Sequence, residues 1–184
     1  MEIVDRDAEQ ARALAEELGG SATALRPDDP FGGDVVVFAL YYPGIKDAVR
    51  EYADRLAGKV VVDITNPVDT ETWDDLATPP GTSSAEEVAQ LVPEGTSVVK
   101  AFNTTLAPTL VAGEVGGQQL DVMIAGDDDT AKEKVAQLVA DGGLRPLDVG
   151  PLRRARQLEH MGFLHIAVQQ PLGLGFGSTF KLHS

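Results

Sequence analysis

The run Asp34–Leu40, DVVVFAL, the segment Ile45–Leu56 behind it and the run Lys59–Ile64, KVVVDI, decide the fold of this chain. Both runs are short, almost continuously apolar and rich in β-branched residues, as strands buried on both faces of a parallel sheet are. The segment between them reads as a helix ended by Gly58. Upstream, Ile3-Val4 is a strand end that leads through Asp5-Arg6-Asp7 into a helix, Ala8 to Leu18, with Ala11, Leu14, Ala15 and Leu18 on one face and Gly19-Gly20 as the stop. Downstream, a helix at Ser83 to Leu91 opens on a Ser83-Ser84 cap with Glu86 and Glu87 in its first turn. A strand at Ser97 to Phe102, SVVKAF, follows, then a strand at Leu120 to Ala125, a helix at Thr130 to Ala140 and a strand at Leu144 to Val149. The expected fold class is α/β, a doubly wound, mainly parallel sheet with helices on both faces. Leu152 to Gln169 reads as a helix beyond the sheet, and Pro171 to Gly177 forms an apolar tail that needs a partner surface. The glycines at 173, 175 and 177 follow no strand and open no helix, so a close-packed turn is expected there and not a phosphate cradle.

At 184 residues, 43% hydrophobic and 24% charged, the sequence has the size and balance of one globular domain. One domain over 1–184 is expected, with 152–184 as its C-terminal extension. Fifteen basic against twenty-nine acidic residues give a net charge of −14, which repels nucleic acid and anionic bilayers, so neither is an expected partner. Zero cysteines exclude a disulfide scaffold, a thiolate zinc site and a cysteine nucleophile. The start MEIVDRD has no basic and apolar signal pattern, and a cytoplasmic location is expected. His160 and His165 stand five apart, off the spacing of a helical metal pair, and His183 is penultimate, so no metal site is expected. No G-x-S-x-G elbow supports a hydrolase triad.

In an open parallel sheet, ligands bind beyond the carboxyl ends of the strands, so the residues just after each apolar run are the candidates. Asp5 and Arg6 follow the first run: an acid there can bond ribose hydroxyls and an arginine can pair with a 2′-phosphate, or the pair can be a solvated turn before a capped helix. Tyr41 and Tyr42 follow the second and can cover an adenine or nicotinamide ring, or only the end of the sheet. Asn66-Pro67 and Asn103-Thr104-Thr105 follow the next two. Each has a structural reading as a turn or helix cap, and their joint place on one sheet edge favours a ligand-facing role.

Taken in order, Val35 to Leu40, KVVVDITNPV (59–68), GTSSAEEVAQLVP (81–93), VVKAFNTT (98–105), LDVMIAGDD (120–128) and GPLRRARQLE (150–159) resemble the NADPH-dependent reductases of coenzyme F420, an 8-hydroxy-5-deazaflavin. The resemblance runs over nearly the whole chain and implies a Rossmann-like domain. It further implies that Asp5 and Arg6 face the adenosine ribose and its 2′-phosphate. Ala39, Leu40, Tyr41, Tyr42 and Pro43 would line the dinucleotide, and Asn66, Pro67, Ala101, Asn103 and Thr104 would approach the nicotinamide and its hydride partner. The cofactor implied is NADP, with NAD possible, and F420 is the implied co-substrate. Hydride passes directly between stacked rings in such reductases, so no catalytic acid or base is expected.

A complete domain of this kind begins with a strand and a Gly-rich turn roughly 20 residues before the ribose-binding acid. Only four residues precede Asp5. The first βα unit is therefore expected to be missing, leaving a gap unless Ile3-Val4 moves over to pair with Val35–Leu40. A start further upstream, a degenerate homologue and a second protomer filling the gap are alternative explanations. The expected function is hydride exchange between NADP(H) and a deazaflavin or a similar small electron acceptor, within a homodimer. The alternatives are a non-enzymatic binding or dimerisation module and a reductase of a flavin, an imine or a metal chelate.

Overall fold

The computed structural model of the chain describes residues 1–183, which divide after Asp34 into two compact units. The first unit holds β1 (Glu2–Val4), α1 (Ala8–Leu18) and β2 (Thr23–Leu25). β1 and β2 pair in parallel, Glu2 with Thr23 and Val4 with Leu25. Asp7 caps α1 by accepting from the Glu9 N–H, Ala11 supplies the buried contact, and Gly19 and Gly20 take the chain out of the helix at φ 59°. The Glu2 carboxylate accepts from the N–H groups of Gly32 and Gly33 at 2.8 and 3.3 Å. The sequence signals no strand at Thr23–Leu25, because three residues are too few to display a period.

The second unit is built from β3 (Val35–Phe38), α2 (Tyr42–Leu56), β4 (Val60–Asp63), α3 (Ser84–Ala89), β5 (Ser97–Lys100) and α4 (Ala107–Ala112). It continues with the hairpin β6 (Glu114–Val115) and β7 (Gln118–Gln119), then β8 (Asp121–Gly126), α5 (Asp129–Asp141), β9 (Arg145–Gly150), a 3₁₀ turn at Leu152–Arg154 and α6 (Ala155–Ala167). Five strands form one sheet in the order β3-β4-β5-β8-β9. β3, β4 and β5 are mutually parallel, as are β8 and β9, whereas β8 runs antiparallel to β5, with Lys100 opposite Ala125. The mainly parallel α/β sheet read from the sequence is the fold of the chain, with this one reversal added. Ile3-Val4 does not move over to Val35–Leu40: β1 takes β2 as its partner, and β3 is an edge strand paired with β4 alone among the described residues.

Side chains alternate along these strands, and the two sets meet different helices. Val60, Val62, Val99, Val122 and Ile124 pack with Val135 and Val139 of α5. Met123 and Ala125 pack instead with Leu158 of α6, with Val149 and Met161 beside them. Val61, Val62 and Val99 are wholly buried, and each such side chain contributes about 1.5–3 kcal/mol by leaving water. Ser83 caps α3 as its sequence suggested, accepting from the Glu86 N–H at 3.2 Å while its hydroxyl donates to the Glu86 carboxylate at 2.7 Å.

α6 stops at Ala167, short of the expected Gln169. The glycines at 173 and 175 have φ of 64° and 59° with open space where a Cβ would stand, so they serve backbone conformation and not the close packing expected of them. The tail beyond them is fastened to the buried carboxylate of Asp121. Lys181 donates to it at 2.5 Å, the Leu182 N–H at 3.0 Å and Arg145 through two bonds at 2.7 and 2.6 Å. Burial by itself pushes the Asp121 carboxyl upward, and these donors outweigh it and hold the group well below the usual carboxylate range. No helix among the described residues is long and apolar enough to cross a membrane.

Candidate functional site at the ends of β4 and β5

β4 and β5 pair in register, Asp63 opposite Lys100, so the chain leaves both strands at one edge of the sheet. Thr65-Asn66-Pro67 follows one strand and Ala101 to Thr104 the other. Phe102 takes φ of 63°, a left-handed conformation that is uncommon for an aromatic residue and marks a constrained turn. That turn brings the two asparagines together. Asn66 Nδ2 donates to the Asn103 carbonyl at 2.8 Å, and Asn103 Nδ2 donates to Asn66 Oδ1 at 3.0 Å and to the Leu158 carbonyl of α6 at 2.9 Å. Both acceptors of Asn103 Nδ2 are oxygens, which fixes the orientation of its amide. Asn103 Oδ1 is then left buried without a hydrogen-bond partner, a condition native interiors rarely tolerate.

α6 forms the wall behind this pair. Gly162 lies so close that a Cβ there would stand 2.9 Å from both Nδ2 and the carbonyl oxygen of Asn103, and closer still to Asn66 Oδ1. His165, one turn on, meets the Thr104 carbonyl through Nδ1 at 3.1 Å and the Ser178 hydroxyl through Nε2 at 2.9 Å. Burial pulls its pKa down against those two bonds, so the ring is neutral, with Nδ1–H donating to the carbonyl and Nε2 accepting from Ser178.

Beneath the pair lies a buried charge cluster that the sequence reading did not identify. Lys100 Nζ contacts Asp63 Oδ2 at 3.1 Å, Glu159 Oε1 at 2.9 Å and the Thr65 carbonyl at 2.7 Å, with all three side chains wholly buried. Burial raises the Glu159 carboxyl above its ordinary value although Lys100 draws it down. The sign of such a cluster was present in the runs VVVD and VVK, where a charge interrupts an otherwise apolar strand.

The other candidates are placed as follows. Pro67 and Ala101 are buried beside the asparagines, and Thr104 is buried under His165. Ala39, Leu40 and Pro43 are exposed, as is Tyr41 at 92%. Tyr42 and Pro43 lie within the first turn of α2, not in a loop, and Tyr42 is buried, donating to Glu87 at 2.6 Å. Burial, and then the Glu87 carboxylate, push its hydroxyl pKa up. Its packing is that of a structural tyrosine. Asp5 and Arg6 lie in the first unit, both exposed, and Asp5 Oδ1 accepts from the Asp7 N–H at 2.8 Å. No cluster of histidine and carboxylate residues among the described residues could hold a metal ion.

The sequence profile of a family described as NADP oxidoreductase, coenzyme F420-dependent, matches residues 1–67. The chain is 29% identical over 187 residues to an F420-dependent NADP reductase of Methanocaldococcus jannaschii, covering 98% of this chain and 79% of that protein. It is 38% identical over 124 residues to Metalloreductase STEAP3 of Rattus norvegicus, of whose length the match spans only 24%. Among solved structures, a proposed F420-dependent NADP reductase from Arthrobacter superposes with a TM-score of 0.82 at 28% identity, over the whole of this chain and 88% of that one. A hypothetical protein from Sinorhizobium meliloti superposes with a TM-score of 0.73 at 33% identity, over 82% of this chain and 73% of that one.

Proposed function

We propose that the chain is an oxidoreductase passing a hydride between NADP(H) and a deazaflavin of the F420 type, a reading supported by its similarity to coenzyme F420-dependent NADP oxidoreductases. The observation that carries this reading is the asparagine pair at the coincident ends of β4 and β5, with its buried, unpartnered acceptor at Asn103 Oδ1. Its donor and acceptor set is neutral and amide-like, which fits a carboxamide-bearing ring. Bound there, the nicotinamide supplies the hydride, exchanged directly with the second ring. The chain's own part is orientation: the constrained turn at Phe102 and the wall of α6 hold both amides fixed, so that the rings are aligned without side-chain motion at the moment of transfer.

In this reading Asp5 takes the ribose hydroxyls, Arg6 takes the 2′-phosphate, and Ala39, Leu40, Tyr41 and Pro43 line the dinucleotide, with Tyr42 left to a structural role. The chain works as a homodimer, supported by the exposed apolar residues Leu164, Leu172, Leu174 and Phe176. The test is calorimetric titration of the wild-type chain and Arg6→Ala with NADPH and with NADH, followed by stopped-flow mixing with F420. Arg6→Ala is expected to weaken NADPH roughly tenfold to a hundredfold more than NADH, the worth of a charge-assisted hydrogen bond. Equal losses for both dinucleotides remove Arg6 from the 2′-phosphate, and wild-type chain that binds NADPH yet leaves F420 unreduced overturns the deazaflavin assignment. A metal chelate is the second acceptor class to mix, favoured by the 38% identity to a metalloreductase.

A further inference from the structure

We propose that Lys100 is a positioning residue: its buried ammonium, bridging Asp63 and Glu159, clamps the Thr65 carbonyl and thereby fixes the two turns that carry Asn66 and Asn103. The consequence for turnover rests on the hydride-transfer reading above, whereas the positioning itself does not.

The ammonium has three protons and finds three acceptors, Thr65 O at 2.7 Å, Glu159 Oε1 at 2.9 Å and Asp63 Oδ2 at 3.1 Å. Each acceptor is itself anchored. Asp63 Oδ1 accepts from the Thr65 N–H at 2.8 Å and from the Thr65 hydroxyl at 2.7 Å, and that hydroxyl lies 2.8 Å from the Ser84 hydroxyl. Glu159 accepts from the N–H groups of Ser84 and Ala85 at 3.0 and 3.4 Å. The cluster therefore ties the ends of β4 and β5 to the start of α3 and to α6.

Every segment that builds the asparagine pair is held one to three residues from this cluster. Thr65 precedes Asn66. Lys100 stands three residues before Asn103, with Phe102 at positive φ between them. Glu159 follows Leu158, whose carbonyl accepts from Asn103 Nδ2, and precedes Gly162, which packs on both amides. Stability does not account for the arrangement, because burying three charges is expensive and an apolar set of the same volume is often no less stable. What the charges add is direction: a fork of fixed hydrogen bonds admits one relative placement of the two turns, where apolar packing admits several.

The test uses the full chain with Lys100→Met and, because that variant can fail to fold, Glu159→Gln, which keeps the volume and one of the two acceptor oxygens while removing the charge. The expected result is a fall in kcat of roughly tenfold to a hundredfold, the cost of a misplacement near 1 Å, with a smaller loss of NADPH affinity. Adding Lys100→Met to Asn66→Ala/Asn103→Ala is expected to slow turnover no further, since it acts through those two groups. In nitrogen-edited NMR, the side-chain amide signals of Asn66 and Asn103 are expected to move in both variants while the backbone amides of β9 stay in place. A further multiplicative loss in the triple variant, or unmoved asparagine signals, overturns the proposal. A wild-type chain that transfers no hydride to F420 sinks the functional reading alone, and the NMR comparison still decides whether Lys100 positions the pair.

Discussion

Gly162 is the residue on which the candidate site is most finely balanced. It has helical neighbours on both sides, and its missing side chain is what lets α6 approach the backbone of Asn103 and the amide of Asn66. The obstructing atoms include a backbone carbonyl, so an added methyl cannot be relieved by swinging a side chain aside. Gly162→Ala is expected to cost about 1–3 kcal/mol of stability through overpacking, despite the better helix propensity of alanine, and to lower turnover by displacing both amides. Urea denaturation beside steady-state kinetics checks this; a variant as stable and as fast as the wild type would mean that α6 does not bear on the pair. Nothing in the sequence marked Gly162, since a lone glycine within a helix has no pattern to read. Asn66 and Asn103 were legible because they follow apolar runs, whereas Asp63 and Lys100 were passed over inside those runs. Their matched register, Asp63 opposite Lys100, is a product of strand pairing that no single run displays.

Among the elements, β3, β4, β5, α2 and α5 were legible from hydrophobic period and caps, because each hides an apolar face by itself. The reversal of β8 was not. Its run, DVMIAG, is buried throughout and shows the same apolar pattern in either direction, and the hairpin at Glu114–Gln119 that precedes it has two-residue strands that carry no period. The fastening of the tail was equally invisible, since it joins Asp121 to residues sixty positions away. Asp121→Asn is expected to destabilise the chain by about 3 kcal/mol at neutral pH, because it leaves Arg145 and Lys181 without their buried counter-charge. The pH dependence has a definite sign. Asp121 has a lowered folded pKa, so its contribution is complete above the unfolded carboxylate value near ~4 and is lost as pH falls through the folded value. The His165 pKa is lowered too, so its contribution is complete above ~6.5 and declines as pH falls below that. Denaturation at pH 7, 5 and 3.5 checks both: the wild type is expected to lose stability at each step, and Asp121→Asn to lose less over the last one. Parallel losses in the two proteins over that step would detach Asp121 from the acid response.

At the scale of the whole molecule, two features oppose one another. A net charge of −14 on 184 residues keeps copies apart, while Leu164, Leu172, Leu174 and Phe176 present apolar surface from α6 and the turns after it. Residues beyond that stretch are anchored through Asp121, so the turns are displayed on a fastened segment and not on a loose end. Burying such side chains favours association by about 1.5–3 kcal/mol each, before the cost of joining two chains is subtracted. The repulsion between two acidic chains acts over the Debye length, roughly 10 Å at 0.1 M salt, and shrinks as salt is added. A dimer held by this surface is therefore expected to tighten as sodium chloride is raised, the reverse of an interface held by ion pairs. Sedimentation equilibrium at low and high salt measures it, with Leu172→Glu/Phe176→Glu as the comparison. The double variant is expected to be monomeric at both salts, and to retain the asparagine pair and its NADPH affinity, because none of the altered side chains bonds to Asn66 or Asn103. A wild-type chain that stays monomeric at high salt, or a double variant that still dimerises, would show that these residues do not form the interface.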